Sequence, residues 1–336
     1  MKKELVLITL FILGVVSLSA QHKVLNFDTN GKFKIVQFTD IHYKQGVPAS
    51  DVAIKLIEEV LDAEKPDLVV FTGDIIWAKP VLQGLDEVFA PVVERKIPWA
   101  YIFGNHDDEF DVSREELMKY VKKKPYCLAQ PGNKKLKGIG NYVLEVRDST
   151  NKKIKTVLYF MDSGSYTPIE SIGGYNWFDF GQVEWYREQS AKYTRKNNKI
   201  PYPALAFFHI PLAEYPLMKA DPKSIIIGNK DETECNGRLN TGMFAAMRIA
   251  GDVMGTFVGH DHNNDYIGMY HDIALAYGRY SGGKTVYNDL GLNGCRVIEL
   301  TEDKREFNTY IRLLGGEKLF HVKYPDSITP IKEEKK

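Results

Sequence analysis

The sequence predicts an α/β protein in which parallel strands alternate with helices. Three short apolar segments in the first third of the chain each run into a polar cluster, and stretches with helical periodicity lie between them. The polar clusters recur at intervals of about thirty residues, the length of a strand–helix–strand unit. Since 336 residues suffice for one large α/β domain, and no linker, repeat or low-complexity stretch divides them, we expect a single domain.

The first half of the chain supplies the repeated strand–loop–helix pattern. Residues 34–38 predict a strand, and residues 49–63 predict a helix with one apolar side. Residues 68–71 are almost wholly apolar, which favours a central strand buried on both faces. A second helix is expected at 81–95 and a third strand at 99–103.

The second half mixes the same pattern with antiparallel strands. A hairpin is predicted where residues 142–146 and 154–160 flank a polar turn at 148–151. Apolar strands at 204–208 and 253–258 each end beside a histidine, as the earlier strands end beside polar residues. The remaining predicted elements are helices at 182–193 and 243–250 and short antiparallel strands at 266–269, 273–276, 296–300 and 310–313.

Both ends of the chain are expected to lie outside this domain, which spans residues 24–324. Residues 1–20 combine a basic start, an apolar run and a small-residue end, a pattern typical of a secretory signal peptide. The run is short for a membrane span, and an uncleaved N-terminal anchor stays the alternative. We therefore expect an exported protein, periplasmic or secreted, with no other membrane contact. Residues 325–336 predict a polar, frayed tail.

Charge and cysteine content narrow the possible partners. The formal net charge is zero, which argues against binding to long nucleic acids.

The three cysteines, Cys127, Cys235 and Cys295, lack the spacing of a metal site. An odd number in an exported protein allows at most one internal disulfide, and at least one of them is expected to be a buried, apolar side chain.

Five polar clusters directly follow predicted strands, and five of the eight histidines fall in them. The carboxyl ends of parallel strands meet at one edge of a sheet, so the clusters should meet there too. A lone histidine after a strand is usually structural, but packing does not explain five clusters of this kind. Imidazole, carboxylate and one amide oxygen, without thiolate, suit Zn, Mn or Fe. The clusters are Asp40 with His42, Asp74, Asn105 to Asp107, His209, and His260 with His262.

The cluster at residues 104–107 is the most informative of the five. Gly104 permits a tight turn, Asn105 offers an amide oxygen and His106 a titratable imidazole. Asp107 supplies a carboxylate able to orient that imidazole. The alternative is a helix N-terminus, where asparagine and aspartate are also favoured.

Taken together, the five clusters resemble the five-block signature of the calcineurin-like metallophosphoesterases. The order and spacing match over about residues 33–300, and the sequences around His209 and His262 are similar to the purple-acid-phosphatase-like branch. The resemblance implies a two-sheet αββα sandwich with helices on both outer faces. It also implies a hydrolase that cleaves phosphate esters by attack of a hydroxide held between two metal ions.

The resemblance also assigns the metal ligands, seven residues in all, and makes Asp74 a bridge between two ions whose identity is open among Mn, Zn and Fe. One ion would be bound by Asp40, His42, Asp74 and His262. The other would be bound by Asp74, Asn105, His209 and His260.

Further residues are expected to act on the substrate. His106, with Asn105 beside it, would contact the phosphoryl group or protonate the leaving group, and Asp107 would fix the tautomer of His106. Arg279 could clamp a phosphate through two hydrogen bonds or be a solvated arginine at a strand end. Purple acid phosphatases have tyrosine where this chain has Trp77, so we expect no purple colour.

The substrate is expected to be a phosphorylated small molecule or another phosphoester, with a phosphomonoesterase favoured by the branch resemblance alone. A phosphodiesterase or nucleotide-processing enzyme on the same site is the alternative, and so is a non-catalytic metal-binding module. The sequence leaves the oligomeric state open. The loop at 163–180 is rich in glycine and aromatic residues and is either functional or packed down by its own side chains, among them Tyr166, Tyr175, Asn176 and Trp177.

Overall fold

The computed structural model of the protein describes residues 24–330. The strands in that range are β1 (Leu25–Asn26), β2 (Lys32–Phe38), β3 (Leu68–Thr72), β4 (Trp99–Ile102), β5 (Tyr142–Arg147), β6 (Ile154–Phe160), β7 (Ala204–Phe207), β8 (Ile226–Ile227), β9 (Val253–Val258), β10 (Ile267–Tyr270), β11 (Ile273–Tyr277), β12 (Gly294–Thr301), β13 (Phe307–Leu313) and β14 (Lys318–Tyr324). The helices are α1 (Pro48–Glu64), α2 (Val81–Glu94), α3 (Arg114–Val121), α4 (Phe180–Lys196), α5 (Glu214–Ala220), α6 (Met243–Ala250) and a 3₁₀ turn at Asp326–Ile328.

The strands of the described range form two sheets, which confirms the expected mixed α/β architecture. One sheet has the order β1-β5-β6-β7-β9-β11-β10-β8 and the other has β14-β13-β12-β2-β3-β4. β2, β3 and β4 are parallel, and so are β6, β7, β9 and β11. The pairs β10–β11 and β12–β13 are antiparallel, as predicted. The helices α1 and α2 are the crossovers that parallel pairing of β2, β3 and β4 requires.

The two sheets face each other across the core. The side chain of Gln37 on β2 donates a hydrogen bond to the carbonyl of Val258 on β9 at 3.0 Å. The guanidinium of Arg296 on β12 donates to the carbonyl of Tyr277 on β11 at 2.6 Å. All of β3 is buried, as expected for a central strand. These cross-sheet bonds bring the carboxyl ends of the parallel strands of both sheets to one region.

Several elements lie outside the sequence-based expectation. Helix α3 was not predicted, although Ser113 and Glu116 form a capping box at its start. The short helix α5 and the strands β1, β8 and β14 were also missed. They are short or polar on one face, so their periodicity is weak.

The ends of the domain and the cysteines differ in part from expectation. The predicted signal peptide, residues 1–20, lies outside the described residues. The prediction of a frayed tail is wrong for its first residues, because Ile328 in the 3₁₀ turn is fully buried. Across residues 24–330, no helix is both long and apolar enough to cross a membrane. All three cysteines lie in that range and are free thiols, two of them buried.

A buried carboxylate at the end of α1 ties this helix to the second sheet. Glu64 lies 2.8 Å from the ammonium of Lys318 and 3.0 Å from that of Lys34, and it accepts a hydrogen bond from the hydroxyl of Tyr310 at 2.7 Å. Burial opposes ionisation, but the bonds from Lys318, Tyr310 and Lys34 prevail and lower the pKa of Glu64 to about 2. The carboxylate therefore contributes stability only while it is charged.

Glu64→Gln should lower the melting temperature near neutral pH. The stabilisation by Glu64 is complete above the ordinary carboxyl pKa of about 4.5 and disappears as the pH falls to about 2. The difference in melting temperature between wild type and variant should thus shrink between about pH 5 and pH 2, measured by circular dichroism. Glu58→Gln on the exposed face of α1 is the control, and a difference that stayed constant with pH would contradict this assignment.

Candidate metal centre

Five parallel strands deliver the cluster residues to one edge of the sandwich, three from one sheet and two from the other. All seven predicted ligands are buried there. β2 leads to Asp40 and His42, β3 to Asp74, β4 to Asn105, β7 to His209, and β9 to His260 and His262.

The backbone at the ligands is unusual. Asp40, His42, Asp74 and His260 all have positive φ, between 44° and 82°, a region that costs free energy for residues other than glycine. Such conformations persist only where the surroundings enforce them, and they concentrate at functional sites. A Cβ on Gly104 would lie 2.1 Å from Oδ1 of Asp74. The turns after β3 and β4 can therefore approach this closely only with glycine at 104.

The ligand atoms form two adjacent groups. Within residues 24–330, Asp40, His42 and His262 form one group, and Asp74, His209 and His260 form the other, with the candidate ligand atoms of each group within 4.8 Å of one another. Oδ2 of Asp74 lies 3.1 Å from Nε2 of His209 and 3.8 Å from Nε2 of His42. Asp74 thus lies between the groups, which is the position that a bridging ligand needs.

The outer partners of the imidazoles direct the opposite nitrogens inward. Nδ1 of His209 donates to the carbonyl of Thr72 at 2.7 Å, and Nδ1 of His262 donates to the carbonyl of Tyr287 at 2.9 Å. Nε2 of each ring is then left for the centre, the usual arrangement at metal-binding histidines. Nε2 of His42 and Nε2 of His262 are only 3.1 Å apart.

Other polar atoms at the centre lack any hydrogen-bond partner. Nε2 of His260 and the side-chain oxygen and nitrogen of Asn105 are buried in this way. Buried polar atoms without partners are rare because each costs free energy. A cation would bind the lone pairs of the His260 nitrogen and the Asn105 oxygen, so the residues present fit a pair of metal ions with nitrogen and oxygen ligands.

The electrostatics of the centre favour added positive charge. Burial lowers the pKa of His42 and of His260 to about 3, so both imidazoles are neutral and can offer a lone pair. Burial also acts on His209, yet Asp74 and Asp40 outweigh it and raise the pKa of His209 to about 10. Two buried carboxylates thus draw a proton to this imidazole, and a bound cation would supply the same charge.

The structure corrects the role predicted for Asp107. Its carboxylate accepts hydrogen bonds from the backbone N–H groups of Asp74 at 3.0 Å, Ile75 at 2.8 Å and Gly104 at 2.8 Å. The prediction that it fixes the tautomer of His106 is wrong, because these bonds tie together the turns after β3 and β4. Nδ1 of His106 instead lies 2.7 Å from Oε2 of Glu109.

Both predictions for Arg279, a phosphate clamp or a solvated side chain, are also wrong. Its side chain is almost completely buried, and Nη1 lies 2.7 Å from Oδ2 of Asp265. Its Nε and Nη2 donate to the carbonyls of Leu290 and Leu292. Arg279 is therefore neither solvated nor free to clamp a phosphate, and it fixes the loop that follows Tyr287.

Sequence reasoning missed residues that shape the site. The guanidinium of Arg114 donates to the carbonyl of Gly104 at 2.6 Å and pairs with Asp162 at 2.7 Å, which anchors the turn that carries Asn105 and His106. Its position at the start of an unpredicted helix gave no signal. The ring of Tyr287 stacks on His262 with centroids 4.3 Å apart.

The aromatic loop at 163–180 reaches the centre with only part of its residues. The ring of Tyr175 contacts that of His260 edge-on at 4.2 Å, and Tyr166 stacks on Tyr175 while 47% of it stays exposed. Asn176 and Trp177 instead line a small cavity of about 20 Å³ away from the ligands. Trp77, at the position of the missing tyrosine, packs edge-on against His106 at 4.4 Å.

The chain matches the family model of the calcineurin-like phosphoesterases over residues 33–264. It belongs to this family. Probable inactive purple acid phosphatase 29 of Arabidopsis thaliana is 35% identical over 297 residues, which cover 79% of this chain and 76% of that protein. Phosphatase DCR2 of Saccharomyces cerevisiae is 32% identical over 327 residues, which cover 86% of this chain but 55% of the yeast protein.

The fold is shared with solved metallophosphoesterases. A dimetal phosphatase from Danio rerio aligns with a TM-score of 0.61 at 14% identity, covering 87% of this chain and 98% of its own. At this identity the likeness concerns the fold alone. The expected sandwich and the purple-acid-phosphatase-like branch are confirmed by these comparisons.

Asp107→Asn should destabilise the protein independently of metal. The amide would turn N–H groups toward backbone N–H groups, and each buried donor left without an acceptor costs about 1–3 kcal/mol. Denaturant unfolding with a chelator present measures this loss, with the exposed Asp111→Asn as control. If stability were unchanged while only turnover fell, the carboxylate would act on His106 after all.

Proposed function

We propose that this metallophosphoesterase is a two-metal hydrolase of phosphate esters, with phosphomonoesters as its preferred substrates. The observation that carries the proposal is the pair of buried ligand groups with Asp74 between them. Two ions sharing a ligand are typical of enzymes that hydrolyse phosphoesters. The preference for monoesters rests on the likeness to the purple-acid-phosphatase branch.

The residues of the chain divide into ligands and groups that face the substrate. Bound ions, whether Mn, Zn or Fe, would supply Lewis acidity and an activated water. His106 is not part of either ligand group, and Glu109 takes up its Nδ1. Nε2 of His106 is then the atom that would give a proton to the leaving oxygen.

A non-catalytic metal-binding module is the second candidate. Three relatives in Arabidopsis thaliana bear names that call them probable inactive purple acid phosphatases. The case for activity in this chain is that none of the seven expected ligands is missing, and that His106 lies next to them. A diesterase or nucleotide-processing enzyme would use the same ligands and differ in the substrate it admits.

We also propose that the protein acts after export on a phosphorylated small molecule. The pattern at residues 1–20 supports export. The zero net charge of the chain gives no support for long nucleic acids as substrates.

The purified protein, loaded separately with Mn, Zn or Fe, should bind two metal ions and hydrolyse p-nitrophenyl phosphate faster than bis-p-nitrophenyl phosphate. Asp74→Asn removes the charge shared by both groups, so both metal binding and turnover should be lost. Metal analysis and the two-substrate assay measure this, with the exposed Glu188→Gln as control. Two bound metals without phosphate release from any ester would favour the non-catalytic module, and two metals with normal rates in Asp74→Asn would refute the site.

His106→Asn should retain about two metals and lose turnover by roughly 10²–10⁴, the usual effect of a positioned general acid. The loss should be small for nitrophenyl esters, whose leaving groups depart without a proton, and large for alkyl esters. Loss of metal together with activity would instead make His106 a ligand, and an equal loss for both esters would assign it to the phosphoryl oxygens.

A further inference from the structure

We propose that Glu109 is the positioning residue of the site, which holds the imidazole of His106 by Nδ1 and leaves Nε2 to the leaving group. The part that Nε2 plays toward the leaving group rests on the proposed function. The contact between Glu109 and His106 does not depend on that function. Glu109 lies outside the ligand set and outside every cluster that the sequence singled out.

The contact between the two side chains is direct. Oε2 of Glu109 lies 2.7 Å from Nδ1 of His106, within a turn in which the backbone N–H of Glu109 donates to the carbonyl of His106 at 3.3 Å. Since the oxygen of a carboxylate accepts, Nδ1 carries the proton. The side chains stay 22% and 33% exposed, so the pair lies at the mouth of the centre, where a substrate would enter.

Neighbouring aromatic rings restrict the movement of the His106 imidazole. The ring of Trp77 lies 4.4 Å from that of His106, and the ring of Tyr166 lies 6.3 Å away. Glu109 also interacts with the hydroxyl of Tyr166. The pKa of this phenol is raised, mainly because it is partly buried and also because the carboxylate of Glu109 is close to it. Tyr166 thus connects the loop at 163–180 to Glu109, and the backbone carbonyl of Asn105 accepts a bond from Ser165 in the same loop.

The contact decides which nitrogen of His106 can meet the substrate. In the proposed reaction Nε2–H gives its proton to the leaving oxygen as the bond from phosphorus to that oxygen breaks, and the oxygen keeps the electron pair. Water supplies the new oxygen on phosphorus. The bond from Nδ1–H to Glu109 is kept throughout, and solvent returns a proton to Nε2 afterwards.

Ring orientation explains why the carboxylate matters. An imidazole freed from Glu109 loses the bond that holds Nδ1, so Nε2 is no longer held in one place relative to the centre. Glu109→Gln keeps the shape and still offers an amide oxygen to Nδ1 but removes the negative charge. Glu109→Ala removes both, so the two variants separate charge from orientation.

The kinetic test uses Glu109→Gln, Glu109→Ala, His106→Asn and the double variant Glu109→Ala/His106→Asn, with the exposed Glu115→Gln on α3 as control. We expect kcat to fall by about 10–100-fold, the size of effect seen when metal-binding histidines lose their hydrogen-bond partners. KM and metal content should stay close to those of the wild type. The loss should grow as the leaving group becomes less acidic, and Glu109→Ala should have almost no further effect once His106 is absent. Losses that multiply in the double variant, or that appear in KM or metal content, would refute the proposal.

Nuclear magnetic resonance of protein with ¹⁵N-labelled histidine provides a readout that needs no turnover. In wild type the His106 signals should show the proton on Nδ1, and in Glu109→Ala they should move toward a mixture of tautomers, while Glu115→Gln leaves them unchanged. If no ester is hydrolysed but these shifts appear, the proposed function fails and the positioning role stands. Unchanged His106 signals in Glu109→Ala would refute the positioning role whatever the activity.

Discussion

The centre depends on two carboxylates, those of Asp40 and Asp74, held where little water reaches them. Charges of the same sign in a buried site repel each other and are stable only if positive charge is supplied. The raised pKa of His209 is the direct sign of that demand. Two of the surrounding imidazoles, those of His42 and His260, are kept neutral by burial and are therefore available as ligands.

The local structure around the centre is also unusual. Four of the expected ligands have positive φ, and the neighbouring turns and loops are fixed by bonds that have no direct part in chemistry: Asp107 to three backbone N–H groups, Arg114 to the carbonyl of Gly104, and Arg279 to the loop after Tyr287. The polar residues of the region thus fall into two sets. One set faces the centre, and the other holds the strained turns in place, which is why Asp107 and Arg279 resemble functional residues in sequence.

The sequence was sufficient for the strand ends and for the polar residues that meet there, but not for the contacts around them. Apolar strands that end in Asp74 or His209 follow from residue types and spacing alone, because parallel strands must finish at a common edge. Whether a carboxylate meets an imidazole or a backbone N–H depends on the turn that carries it. The sequence pointed to Asp107, the neighbour of His106, as its partner, and only the turn geometry reveals Glu109 in that place. Burial of Arg279 likewise follows from tertiary packing around Asp265.

Each ligand group draws on both sheets. Asp40 and His42 come from β2 and are completed by His262 after β9, while Asp74 from β3 is completed by His209 and His260 after β7 and β9. Ions bound there would act as cross-links between the two sheets at one edge of the sandwich. A ligand that binds only the folded state raises the free energy of unfolding. The concentration of metal ions would therefore affect the stability of the protein as well as its activity.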